Sequence, residues 1–176
     1  MAIKTKDFIL RHIKMSDTKM YFETMQDKAT QMGFMTTPKT LTEARKEIKK
    51  RISHYKKKKI TAEDFAIEIN GEFAGYVGIH SLDENPLTQK GSTGVIGYCL
   101  HPKFRGKGIM TKAVKLITDY SFKKYKIKRI SGRCRSFNKV SAKILEKAGY
   151  SFEGKHRKEI YKNKKYYDNL YYAKIK

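Results

Sequence analysis

Arg105, Gly106, Lys107 and Gly108 stand between a proline-broken apolar run and a helix-period pattern, Ile109, Ala113, Leu116, Ile117 and Tyr120. Glycines at the opening of a helix suit an anion. The first-turn N–H groups have no intrahelical partner, the helix dipole adds partial positive charge, and a missing Cβ lets a phosphate or pyrophosphate reach the backbone. Lys103, Arg105 and Lys107 can add charge at the rim. Spacing narrows the kind of cradle. The third glycine of a dinucleotide fingerprint would fall at Thr111, and at least three strand-like segments come first, whereas a Rossmann turn follows the first strand of its unit. The four residues that a P-loop needs before its Gly-Lys pair are also missing. By itself the stretch reads equally as an anion cradle or as a glycine-bracketed loop that starts a helix.

A second stretch, Asn138-Lys-Val-Ser141 through Glu146-Lys147-Ala148-Gly149-Tyr150, follows a strand and reads as a capped helix ended by glycine. Together the two stretches resemble the GNAT acetyltransferase superfamily. Arg105-Gly-Lys-Gly-Ile-Met110 is similar to its Gln/Arg-x-x-Gly-x-Gly/Ala pyrophosphate loop, and Asn138 to Gly149 to its Asn-x-x-Ser…Glu-Lys-x-Gly helix. Met110 stands where most of the superfamily has Gly or Ala. Methionine there, the opening Phe8-Ile-Leu-Arg11 and the closing Phe152 to Asp168 resemble the branch that acetylates ribosomal-protein N-termini. The resemblance covers nearly the whole chain.

It implies acetyl-CoA as co-substrate and calls for no metal. Main-chain groups of Tyr98, Cys99 and Leu100 would hold the acetyl and pantetheine part, with the Leu100 N–H polarising the thioester carbonyl. Residues Arg105, Gly106, Lys107, Gly108, Ile109 and Met110 would hold the pyrophosphate. Asn138 would contact the cofactor, and Ser141 would serve the CoA sulfur as general acid, because the tyrosine many members carry seven residues after the asparagine is here Leu145. Read structurally instead, Asn138 is a helix cap and Ser141 a first-turn serine. Glu68, Asp83, Glu84 and Glu159 are candidate bases. The branch's carboxylate register puts Ile160 rather than Glu159 in place, so the base stays unassigned. The acceptor implied is a protein N-terminal α-amine. The alternatives are a small amine such as a polyamine or aminoglycoside, or a non-catalytic CoA- or RNA/ribosome-binding module.

With 176 residues, 39% apolar residues, 12 Tyr and 9 Phe, the chain suits one globular domain covering 1–176. No apolar run approaches the ~20 residues of a membrane span, and no export signal opens the chain, so the cytoplasm is the expected compartment. Oligomers and a monomer are equally compatible. Cys99 and Cys134 lie in strand-like runs and read as buried thiols. His101, two residues from Cys99, keeps a thiol mechanism formally open. The net charge of +23 would attract polyanions such as ribosomal RNA, or reflect a lysine-rich composition with scattered runs.

Positioning these residues requires an α+β fold. Asp7 to Ile13 reads as a strand, Ser16 or Asp17 as the cap of a first helix, and Thr40 or Thr42 as the cap of the next. Alternating Phe65 to Ile69 and Phe73 to Ile79 around Asn70-Gly71 form a hairpin. Ser81 to Gly94 is a loop. Thr93 to Leu100 and Arg129 to Arg135 are the strands beside the cradle. Tyr150 to Gly154, Lys158 to Tyr161 and Tyr166 to Ile175 complete the sheet, the last pair turning at Asn163-Lys164. The expected architecture is a mixed, mainly antiparallel sheet with helices on both faces and a splayed strand pair.

Overall fold

A computed structural model describes residues 2–55, 57, 60–82 and 93–176. The chain runs through β1 (Ala2–Lys4), β2 (Ile9–His12), a 3-10 turn at Met15–Asp17, and helices α1 (Thr18–Gln26), α2 (Lys28–Gly33) and α3 (Leu41–His54). There follow β3 (Glu63–Ile69), β4 (Glu72–His80), β5 (Thr93–Leu100), α4 (Ile109–Tyr125), β6 (Arg129–Arg135), α5 (Lys139–Lys147), β7 (Ser151–Lys162) and β8 (Lys165–Ile175). The strands form one sheet in the order β1-β2-β3-β4-β5-β6-β8-β7, and only β5 against β6 is parallel.

Local chemistry accounts for most of these elements. Asn70 and Gly71 both have positive φ, 51° and 78°, as a two-residue hairpin turn between twisted strands requires. Thr40 caps α3 by accepting from the Glu43 N–H at 3.1 Å. Asp17, not Ser16, is the N-cap residue of α1, but its side chain makes no capping hydrogen bond. Asp17 is buried and accepts instead from Lys14 N–H and from the guanidinium of Arg11. β1 and α2 are short and carry no strong sequence signal of their own. The two pieces expected at Tyr150 to Tyr161 are one long strand, β7, whose pairing to β8 slips between His156 and Ile160, where Lys158 takes a φ of 52°.

Helices cover both faces. Tyr21, Met25, Ala44 and Ile48 from α1 and α3 pack on Ala66, Phe73, Tyr76 and Cys99. On the other face Ile109, Ala113, Val114, Ile117 and Leu145 from α4 and α5 pack on Phe65, Val77, Ile96 and Ile130. Among the described residues no helix is long and apolar enough to cross a membrane.

One irregularity positions the site. β5 and β6 pair only over Thr93–Val95 and Arg129–Ser131, then run on unpaired to Leu100 and Arg135. β6 is bonded along its other edge to β8, and β5 to β4, so the gap between them exposes strand edges inside the sheet.

Candidate active site

The gap opens into a cleft of ≈ 490 Å³ lined by β5, the turn before α4, the end of β6, the start of α5 and one side of α2. Strand alternation decides which backbone groups face it. His101 N–H donates to Ala74 O at 2.8 Å across the β4–β5 ladder, so the N–H groups one and three residues earlier, at Leu100 and Tyr98, point away from β4 and toward the gap. The Cys99 backbone, two residues before His101, belongs to the ladder with Tyr76.

After β5, Gly106 and Gly108 have φ of 81° and 73°, and among the described residues a Cβ built on either meets nothing within 4 Å. Gly108 is the N-cap of α4, and no acidic side chain occupies the first turn. The cradle therefore combines open space above two glycines with unpaired first-turn N–H groups, as a pyrophosphate requires. The expected cationic rim is different. Lys103 pairs with Glu72 at 2.7 Å, outside the cleft. Arg105 donates through Nε to Leu100 O at 3.0 Å and through Nη2 to Asp27 at 2.7 Å and Thr30 at 2.9 Å, tying the cradle loop to α2. Lys107 is exposed and lines the cleft.

Asn138 accepts from Ser141 N–H at 3.0 Å and caps α5. Ser141 lies on the α5 side of the cleft, and its Oγ is 2.8 Å from the hydroxyl of Tyr98. Burial pushes the Tyr98 phenol well above its ordinary pKa, against the hydrogen bond to Ser141, so it stays a neutral hydroxyl. Leu145, at the position of the family's tyrosine, is fully buried beneath Gly132. The tyrosine hydroxyl beside Ser141 comes instead from Tyr98 on β5. Tyr98 shares a strand face with Ile96 and Leu100, which is the signal that could have found it.

On the opposite face of β6 stand Arg133 and Arg135. The slip in β7 turns Glu159 back over β8, where it accepts from Asn169 Nδ2 at 2.7 Å and from Tyr171 Oη at 2.5 Å, and Asn169 in turn accepts from Arg135 at 2.7 Å. Partial burial works against ionisation of Glu159 but is outweighed by hydrogen bonds from Tyr171, Asn169 and His156, so its carboxyl lies below the usual range. Neither Glu159 nor Glu68 lines the cleft: Glu159 reaches its wall through Asn169 and Arg135, Glu68 is held by Arg11, and Asp83 and Glu84 lie outside the described residues.

Cys99 lines the cleft, but its thiol faces Thr30 at 3.7 Å, and His101 uses Nδ1 to accept from the Lys103 N–H. Burial pushes the Cys99 thiol up to about 11, so it is un-ionised near neutrality. We expect Cys99 in the native protein to resist alkylation at pH 7.5, to label faster as pH rises toward 11, and to label at once in denaturant. Rapid labelling at pH 7.5, followed by mass spectrometry, would restore the thiol as a nucleophile.

The acetyltransferase (GNAT) domain family matches residues 7–151. The chain belongs to this family. Family members use acetyl-CoA as co-substrate, and the gap, the open glycines and the free N–H groups fit that molecule. Two proteins of Bacillus subtilis (strain 168) are similar in sequence. YjcK, provisionally named an N-acetyltransferase, is 34% identical over 116 residues, covering 64% of this chain and 62% of its own. YdaF, provisionally named a ribosomal N-acetyltransferase, is 31% identical over 107 residues, covering 61% and 56%. The chain thus spans less than two thirds of the length of either. Among solved structures, the RimL ribosomal L7/L12 α-N-protein acetyltransferase in complex with coenzyme A superposes with a TM-score of 0.84 at 24% identity, covering 99% of this chain and 98% of that one. That likeness establishes the GNAT fold.

Proposed function

We propose that the protein transfers the acetyl group of acetyl-CoA directly to an amine, and that the acceptor is the α-amine at a polypeptide N-terminus. One observation carries the reading: a glycine cradle, edge-facing N–H groups and a Ser141–Tyr98 hydroxyl pair meet at a single gap in the sheet. As the amine nitrogen bonds to the thioester carbonyl carbon, the Leu100 N–H donates to the oxygen that gains negative charge. The carbon–sulfur bond breaks, Ser141 Oγ–H gives its proton to the departing sulfur and recovers one from solvent, while Tyr98 stays a neutral hydroxyl and donates a hydrogen bond to the Ser141 oxygen. Glu159, held ionised, takes the proton shed by the amine through a water.

The base also bears on the acceptor. A carboxylate of lowered pKa is a weak base, so it suits an amine that loses its proton readily. At pH 7 an α-amine, with pKa ~7.7–8.0, is roughly a tenth to a sixth neutral, whereas a primary alkylamine near ~10.4 is neutral in fewer than about one molecule per thousand. Arg133 and Arg135 on the Glu159 face, and a net charge of +23, also disfavour a polyamine. The ribosomal activities in the names of YdaF and RimL support the same acceptor.

Thiol release from acetyl-CoA, measured against N-terminal peptides of ribosomal proteins, polyamines and aminoglycosides, is expected to favour the peptides. Turnover confined to small amines would replace the acceptor. Binding of acetyl-CoA without release on any amine would leave a non-catalytic CoA- or RNA-binding module.

A further inference from the structure

Arg135 is 7% exposed at the edge of the cleft, yet its guanidinium has few good acceptors. Among the described residues, Nη1 donates to Asn169 Oδ1 at 2.7 Å, Nη2 meets only the thioether of Met35 at 3.3 Å, and Nε has no partner. A thioether is a weak acceptor, and among the described residues no carboxylate forms an ion pair with Arg135. Buried cations are normally paired, and an orphaned buried donor calls for an explanation. The neighbouring side chains sharpen the question. Arg133, two residues earlier on the same strand face, is exposed and also lines the cleft, so the recess holds two positive charges side by side. Burial and then Arg133, opposed by Glu159, hold the Arg135 pKa below its ordinary value, and an incoming anion would offset the repulsion from Arg133.

We propose that Arg135, assisted by Arg133, binds a carboxylate that the acceptor carries close to its reacting amine. The planar guanidinium fork matches a carboxylate in two parallel hydrogen bonds, and Nε is one of the donors left over for it. Glu159 stands two hydrogen bonds away through Asn169, so the recess presents an anion toward the amine and a cation toward the carboxylate. The recess is walled on its outer side. Lys162 near the β7–β8 turn donates to Gln31 O and Phe34 O at the end of α2, and half-exposed Met35 forms the lip beside Arg135. The carboxylate has two sources: an Asp or Glu side chain near the head of a peptide, or the α-carboxylate of a free amino acid. This inference rests on the acetyl-transfer reading.

The test uses the full chain and paired acceptors that differ only as acid and amide: peptides beginning Ala-Glu against Ala-Gln, and alanine against alaninamide. In one pair the acid is expected to have a kcat/KM about tenfold higher, expressed in acceptor KM while the acetyl-CoA KM hardly moves. Which pair shows the preference identifies the source. Arg135→Gln should bring acid and amide to parity, and Arg135→Lys, which keeps the charge but loses the fork, should leave only part of the preference. Arg133→Gln, on an exposed side chain outside the core, should reduce it by a few-fold. Equal rates in the unaltered protein, or a ratio unchanged in both Arg135→Gln and Arg133→Gln, overturn the proposal. Calorimetric binding of the acetylated products of both pairs in the presence of CoA reads the same ratio without turnover. Acid preference in either pair with no turnover on any amine would refute the transfer reading and leave the role of Arg135 standing, whereas equal binding in both pairs would refute that role.

Discussion

Ser141→Ala is expected to lower kcat about a hundredfold while changing the acetyl-CoA KM by less than about threefold, the usual size for loss of one positioned acid. The hydroxyl sits in the first turn of α5 with its own N–H committed to Asn138, so the substitution removes a proton donor and leaves the cap intact. Tyr98→Phe should cost about tenfold, since the phenol acts through Ser141 at 2.8 Å rather than on the sulfur itself. In the Ser141→Ala background the same change should cost little, because two groups that act as a unit are not additive. Steady-state kinetics on the four proteins check this. Equal and independent losses would place Tyr98 and Ser141 in separate roles.

Gly108→Val is the second large effect, expected to weaken acetyl-CoA binding about a hundredfold or more. At φ 73° an L-residue carries ~1–2 kcal/mol of backbone strain, more when β-branched, and the new side chain fills the space through which a pyrophosphate reaches the α4 N-terminus. Gly71→Val separates the two contributions. Gly71 has φ 78° and an equally open surrounding, but it lies in the β3–β4 turn, away from the cleft. Both variants should lose a similar few degrees in Tm, at roughly 2–4 °C per kcal/mol for a chain of this size. Only Gly108→Val should lose acetyl-CoA in a calorimetric titration. Normal binding by Gly108→Val would remove the cradle from the account.

What the sequence disclosed was local. Two glycines opening a helix, an asparagine capping another, and an Asn-Gly turn between alternating strands each specify geometry within a few residues, and all three stand in the structure as read. The site's longer connections left no such trace. Arg105 looked like a free cation beside the cradle, but its partner Asp27 is 78 residues away. The hydroxyl beside Ser141 comes from a strand 43 residues earlier, where Tyr98 was assigned only backbone duties. Glu159 is one of four candidate bases in the sequence, one residue off the family's register, which falls on Ile160. The slip between His156 and Ile160, with Lys158 at positive φ, is a register change that residue types alone do not disclose. Arg135 carried no signal at all, because its significance lies in what surrounds it: Met35 and Asn169 as partners, and no partner at Nε.

The central claim is direct transfer from acetyl-CoA in the β5–β6 gap to a peptide α-amine, and mass spectrometry of one reaction mixture tests it most directly. After incubation with acetyl-CoA and a ribosomal-protein N-terminal peptide, the account predicts a single acetyl group on the peptide's α-amine and an enzyme of unchanged mass. An acetyl group trapped on the enzyme, or an unmodified peptide beside protein that demonstrably binds acetyl-CoA, would contradict it.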